Sequence, residues 1–171
     1  MRDQVVLVNE NDDAIGLMPK LEVHQKGFLH RAFSVFIFNS KGELLMQQRA
    51  LGKYHSEGLW SNTCCSHPYP DEDTFDAADR RLMEEMGISA PLTFLYSFIY
   101  NAELGNGLTE HELDHIFWGV SDELPLIDTS EVSDFKYISI SDLKSDMQQN
   151  PHAYTEWLKI CFDGVASKIE L

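Results

Sequence analysis

Cys65 and His67, in W-S-N-T-C-C-S-H-P, and Glu85, in R-R-L-M-E-E-M-G, are the first residues of this chain whose types invite chemistry. A thiol or an imidazole can move a proton or ligate a metal, and a carboxylate completes either set. An isolated cysteine is most often a small core residue, but a loop flanked by Pro68 and Pro70 rarely holds core side chains. Glu110 and Glu112, two apart in an extended segment, point to one side. Side by side they repel unless a cation lies between them, and the apolar continuation I-F-W-G-V carries that strand inward. His24 and His30 are unremarkable singly. With His67, Glu110 and Glu112 they make a mixed imidazole and carboxylate set that suits Mn2+, Zn2+ or Mg2+. His111 and His115 point elsewhere and read as structural. Arg49 and Lys53, with Lys20 a weaker third, can grip phosphate oxygens. Tyr100 and Trp157 suit a core, although an indole face also stabilises a nearby cation.

The elements that must position these groups can be read in outline. Residues 5–8 and 15–19 are short extended pieces, and 20–27, which holds His24, is a turn of helix or an irregular loop. Residues 30–39, H-R-A-F-S-V-F-I-F-N, are the strongest strand, with 43–48 as its expected hairpin partner across S-K-G. Cys65 and His67 sit in a loop. Residues 74–86 form a helix capped by Asp73 or Thr74 and stopped by Gly87. At about 100° per residue, Phe75, Ala78, Leu82 and Met86 share its buried face. Glu85 lies at the edge of that face, looking into a cleft, and Glu84 faces solvent. Residues 92–100 and 112–120 are strands, and the Gly/Asn-rich stretch between them reads as an exposed loop. An acidic loop, a strand at 135–138 and helices at 141–149 and 153–170 complete an α/β sandwich over a mixed sheet.

The totals set limits. A length of 171 residues predicts one domain, spanning 1–171, with a core large enough to need no staples. Cys64, Cys65 and Cys161 form no disulfide framework, and no apolar run reaches the ~20 residues of a membrane helix. The first ten residues lack the apolar core of a signal peptide, so a cytoplasmic location is expected. A net charge of -15 argues against a nucleic-acid partner, and an anionic substrate must be met by local cations or metal.

The segments L-H-R-A-F-S-V-F-I-F-N, Q-R-A-L-G-K, W-S-N-T-C-C-S-H-P, R-R-L-M-E-E-M-G, E-H-E-L and Y-T-E-W together resemble the type 1 isopentenyl-diphosphate isomerases, a branch of the Nudix superfamily. The resemblance covers nearly the whole chain. It implies a Nudix-type α/β/α sandwich around a mixed sheet. Against the Nudix helix pattern, Glu72, Arg80, Leu82, Glu84, Glu85, Gly87 and Ile88 match. Ser66 stands in place of the opening glycine and Arg81 in place of a glutamate. Hydrolysis of a diphosphate, the alternative activity, is weakened by that departure.

The resemblance implies that isopentenyl and dimethylallyl diphosphate are interconverted in isoprenoid biosynthesis. Cys65 and Glu112 would be catalytic, with Tyr100 assisting the glutamate. His24, His30, His67, Glu110 and Glu112 would hold a divalent metal (Mn2+, Zn2+ or Mg2+), and Glu85 a Mg2+ that bridges to the diphosphate. Lys20, Arg49 and Lys53 would hold the diphosphate, with Trp157 over the reacting carbons. Cys64 has no assigned role. The expected partner is this small isoprenoid diphosphate alone, with no membrane, and the chain is expected to be a monomer.

Overall fold

The computed structural model describes residues 3–169. Its elements are β1 (Gln4–Val8), β2 (Ala14–Pro19), α1 (Lys20–Lys26), β3 (His30–Phe38), β4 (Glu43–Arg49), β5 (Trp60–Ser61), β6 (Cys64–Ser66), α2 (Thr74–Met86), β7 (Thr93–Gly105), β8 (Leu108–Val120), β9 (Val132–Ser139), α3 (Ile140–Gln149) and α4 (Glu156–Lys168).

β3 organises the rest because it is apolar on both faces, the pattern of a strand covered on both sides. Phe33, Val35 and Ile37 pack with Ala77, Ala78, Leu82 and Met86 of α2. Phe36 and Phe38 pack with Leu143 of α3 and Leu158, Phe162 and Val165 of α4. Alternation along one strand thus builds a helix, sheet, helix sandwich, as expected. The sheet is mixed: β3 runs parallel to β8 from His30 opposite Glu112 to Phe38 opposite Val120, while β8 is antiparallel to β7. Among the described residues, no helix is long and apolar enough to cross a membrane.

The expected β3–β4 hairpin closes at one pair only, Phe38 with Leu44, after which the strands diverge. β4 pairs instead with β9 and β5, and β3 pairs with β6. Side chains of the W-S-N-T motif satisfy the backbone groups in this split. Ile37 donates its amide to Thr63 Oγ1 at 2.8 Å, and Thr63 donates to the Leu45 carbonyl at 2.6 Å. Asn62 Nδ2 donates to the carbonyls of Val35 and Cys64. Polar side chains replace the missing ladder, so the sheet opens without orphaning its backbone.

Other expectations need correction. Residues 20–27 hold a true helix, α1, ended by Gly27 at φ 65°. Cys65 lies on a strand, β6, rather than in a loop. The stretch between the two long strands is no excursion. β7 and β8 pair through Ala102 with Glu110 and Glu103 with Thr109, and the positive φ values fall on Gly105, Asn106 and Gly107 at the tip. The Gly/Asn signal marked that tight turn alone. The last helix begins at Glu156, after a 3-10 turn at Pro151–Ala153, and its expected end at Glu170 lies outside the described residues. The strand expected at 135–138 extends over Val132–Ser139.

Helix α2 follows its sequence signals closely. Asp73 caps it by accepting from the Phe75 amide at 2.8 Å, and Gly87 ends it at φ 64°. A Cβ at Gly87 would stand 2.4 Å from the Leu126 carbonyl oxygen, so glycine is required there twice over. Glu85 is buried and Glu84 is half exposed. Phe75 departs from the expected face: it stays exposed and meets Phe117 edge-on.

Candidate active site

A cavity of about 250 Å3 opens where β3 and β4 part. Cys65, Ser66 and His67 enter it from β6 and the residues after it, and Glu110 and Glu112 from β8. Glu85 and Arg81 come from α2, Lys20 from α1, Arg49 and Lys53 from the end of β4 and its loop, and Trp157 from α4. Five of the chain's 13 basic residues (Lys20, Arg49, Lys53, Arg80 and Arg81) line this one space. Asp3, Glu85, Glu110, Glu112 and Glu131 line it too, so in a chain of net charge -15 this cavity is locally balanced, with cations available to an anionic ligand and carboxylates available to a metal.

At one end His24, His30, His67 and Glu112 each offer a ligand atom within 4.8 Å of the others. The β3–β8 register, with His30 opposite Glu112, produces part of this convergence, and α1 places His24 above it. His24 Nδ1 lies 2.7 Å from the Lys20 carbonyl and His30 Nδ1 lies 2.9 Å from the Phe28 carbonyl. Donation to these carbonyls places the proton on Nδ1 and leaves each Nε2 lone pair facing inward, the usual arrangement behind a metal-bound imidazole. The Nε2 atoms of His30 and His67 stand 3.2 Å apart, and Glu112 Oε1 is 3.0 Å from His67 and 3.3 Å from His30. The Nε2 of His24 is buried without a hydrogen-bond partner. Inward lone pairs, a carboxylate and an orphaned imidazole nitrogen are the donor set of a divalent cation, and the residues fit one.

Tyr100 ties the two strand carboxylates together. Its hydroxyl oxygen is 2.7 Å from Glu112 Oε2 and 3.0 Å from Glu110 Oε2. Burial, and then the neighbouring Glu112, push the Glu110 carboxyl well above the usual range. Burial pushes Glu112 up as well, but the His30 and His67 rings beside it outweigh that and hold the carboxyl well below the usual range. Burial drives His67 down to about 3, keeping its imidazole neutral and able to ligate. Burial also raises the Cys65 thiol to about 12, so it carries its proton at neutral pH. Cys64 points the other way, into the core under α2.

At the other end are the cations. Lys53 pairs with Glu131, and Arg81 pairs with Glu84 and Glu85. Glu85 also accepts from Gln47 Nε2 at 2.8 Å. Each of its oxygens thus meets one donor and keeps a further lone pair, so the carboxylate still fits a cation. Burial, and then Arg49, lower the Lys20 ammonium. The Arg49 guanidinium lies 5.2 Å from the Trp157 ring centroid, and the indole nitrogen donates to Ser61 Oγ at 3.0 Å.

Every residue expected to act at the site, other than Tyr100 and the buried pair His24 and His30, lines the cavity, and those three pack directly behind it. His111 and His115 contact the carbonyls of Gly27 and Ala32 instead. Sequence reasoning passed over four residues here. Tyr54 and His55 cover the His24 side, Glu131 faces Lys53, and Asp114 is buried two residues beyond Glu112. The alternation of β8 predicts that Asp114 shares the face of Glu110 and Glu112, which was the available signal. Nothing in K-Y-H-S-E-G marks His55.

The NUDIX domain family matches residues 28–158. An isopentenyl-diphosphate Delta-isomerase of Pectobacterium atrosepticum is 53% identical over 159 residues, covering 93% of this chain and 89% of that one. Isopentenyl-diphosphate Delta-isomerase 2 of Aromatoleum aromaticum is 49% identical over 167 residues, covering 98% and 88%. Among solved structures, DR0079 from Deinococcus radiodurans superposes with a TM-score of 0.78 at 18% identity, covering 98% of this chain and 99% of that one. MutT protein from Methanosarcina mazei Go1 gives 0.68, also at 18%, over 81% and 94%. These likenesses carry the fold. The chain belongs to the Nudix superfamily, in its type 1 isopentenyl-diphosphate isomerase branch.

Proposed function

We propose that this chain interconverts isopentenyl diphosphate and dimethylallyl diphosphate, a step of isoprenoid biosynthesis, as one domain acting as a monomer in the cytoplasm. The observation that carries the reading is one cavity lined by both the Cys65 thiol and the Glu112 carboxylate, with Lys20, Arg49 and Lys53 on its wall. The full-length relatives bear the isomerase name.

The reaction moves a double bond by one carbon. Addition of a proton to the terminal methylene gives a tertiary carbocation, and loss of a proton from the carbon on the diphosphate side gives the isomer. An unactivated alkene is a weak base, so both transfers need positioned groups. Cys65 and Glu112 take the two transfers, each the acid in one direction and the base in the other. Tyr100, hydrogen-bonded to Glu112, orients that carboxylate and feeds its proton balance. Lys20, Arg49 and Lys53 hold the diphosphate. The Trp157 face contributes about 2 kcal/mol to a desolvated cation beside it.

His24, His30, His67, Glu110 and Glu112 would hold one divalent ion, Mn2+, Zn2+ or Mg2+, and Glu85 would hold Mg2+. When bound, such ions supply fixed positive charge, keeping Glu112 ionised and in place and neutralising the diphosphate. Water would trap the carbocation, so the reaction needs the pocket closed over the bound hydrocarbon.

Diphosphate hydrolysis is the weaker reading. Arg81 stands where the Nudix helix has a glutamate, so that helix offers one carboxylate fewer and carries a cation beside Glu84 and Glu85. The test is incubation with isopentenyl diphosphate and Mg2+ followed by proton NMR. Dimethylallyl diphosphate should form without phosphate release. Phosphate release that survives Cys65→Ala would favour the hydrolase.

A further inference from the structure

Gln47 lies on β4 with 3% of its surface exposed, yet it lines the cavity and has no part in the chemistry above. A buried primary amide brings two N–H donors, and both must be answered. Gln47 Nε2 donates one to the Thr63 carbonyl and the other to Glu85 Oε2, each at 2.8 Å. Both partners are acceptors, so the amide has a single workable orientation.

The two partners belong to different parts of the site. Glu85 comes from α2, and Thr63 stands two residues before Cys65, at the entry to β6. Thr63 is itself a fixed post, because its hydroxyl accepts the Ile37 amide and donates to the Leu45 carbonyl. Cys65 follows in register with Ser34 of β3. Gln47 therefore refers the Glu85 carboxylate to the same strand that carries the thiol.

Arg81, which also meets Glu85, is a poorer guide. It rises from the same helix and is shared with Glu84 at 2.9 Å and Glu131 at 3.6 Å. It is also charged, whereas a neutral amide orients a carboxylate and leaves its charge for a cation. Satisfying the Thr63 carbonyl needs one donor only; the second N–H is directed at Glu85.

We propose that Gln47 is a positioning residue that fixes Glu85 relative to the Cys65 strand. This rests on the Mg2+ role proposed above for Glu85. The Gln47 bridge then sets where a diphosphate held through that ion stands with respect to the thiol.

The test is calorimetric binding of inorganic diphosphate to the full chain, with and without Mg2+. Wild type should bind more tightly with Mg2+. Gln47→Met and Gln47→Leu, which lack the donors, should lose about 10- to 100-fold of the Mg2+-dependent affinity. Their metal-free binding, carried by Lys20, Arg49 and Lys53, should match wild type and doubles as the check on folding. Gln47→Met should cost nothing further in a Glu85→Gln background, because it acts through that carboxylate. Gln47→Lys keeps donors for Thr63 and Glu85 but adds a charge, and it should bind metal-free diphosphate while losing the Mg2+ enhancement. A full enhancement in the apolar variants or in Gln47→Lys, or an equal loss with and without Mg2+, would overturn the role of Gln47 alone. An enhancement that survives Glu85→Gln would overturn the Mg2+ role of Glu85 and this proposal with it.

Discussion

Strands β3 and β8 carry a histidine and carboxylate cluster on each face, and the two faces behave differently. On the cavity face, His30 and Glu112 meet His24 and His67, imidazole nitrogen confronts imidazole nitrogen, and two buried nitrogens, His24 Nε2 and His67 Nδ1, have no hydrogen-bond partner. On the opposite face, Asp12 receives Arg31 Nε at 2.7 Å and lies 2.9 Å from His115 Nε2, while His115 Nδ1 meets the Ala32 carbonyl at 3.2 Å. The second cluster closes its own hydrogen bonds and needs no visitor. The first gathers acceptors and lone pairs that only a cation reconciles. Residue type is the same on both faces; the presence of an internal partner separates a structural cluster from a functional one.

The sharpest way to break this comparison is substitution within the cavity. Cys65→Ala or Glu112→Gln should each lower turnover by about 10^2- to 10^4-fold, the range for loss of a positioned acid or base. Circular dichroism should show the fold retained. A cluster that was merely structural would cost stability and leave turnover intact.

Chelation separates the faces next. An ion that binds only the folded chain adds about 2.7 kcal/mol at a hundred times its dissociation constant. Chelator should therefore lower the melting temperature of wild type and leave that of Glu110→Gln nearly unmoved. Asp12→Ala should show the reverse pattern: lower stability by about 1–3 kcal/mol, from loss of charged hydrogen bonds, with turnover and chelator response retained.

Arg80 and Glu72 offer a third, smaller case of a closed cluster, joined at 2.6 and 2.7 Å. The Arg80 hydrogen bonds hold the Glu72 carboxyl below its usual range. A carboxyl lowered by folding contributes stability above its unfolded value, near ~4.3, and that contribution fades as pH falls through the folded value. Glu72→Gln should therefore be less stable than wild type at pH 7, with the difference shrinking below about pH 4 in chemical denaturation. A difference that persists in acid would mean that Glu72 acts through packing.

How far the sequence could be read follows from where each signal is written. Asp73 and Gly87 bracket α2, and its helical period places Glu85 inward, because caps and periodicity are local properties. Alternation placed Glu110 and Glu112 together for the same reason. β6 escaped because three residues carry no periodicity, and its place depends on Asn62 and Thr63 bonding across a split sheet. The false hairpin of β3 and β4 came from the same split. His55 escaped because its position depends on Arg49 folding back over a loop that contains Gly52 and Gly58. Residue type alone could group His24, His30 and His67 with Glu110 and Glu112, but that they meet depends on α1 and on the chain just after β6, which bring distant imidazoles beside Glu112.

The central claim is that Cys65 and Glu112 serve one hydrocarbon from a shared cavity. Mass spectrometry of substrate and product after incubation of isopentenyl diphosphate and Mg2+ in deuterium oxide tests it most directly. Wild type should place solvent deuterium in both diphosphates, and neither Cys65→Ala nor Glu112→Gln should do so at a comparable rate. Deuterium incorporation at the wild-type rate in either variant would contradict the account.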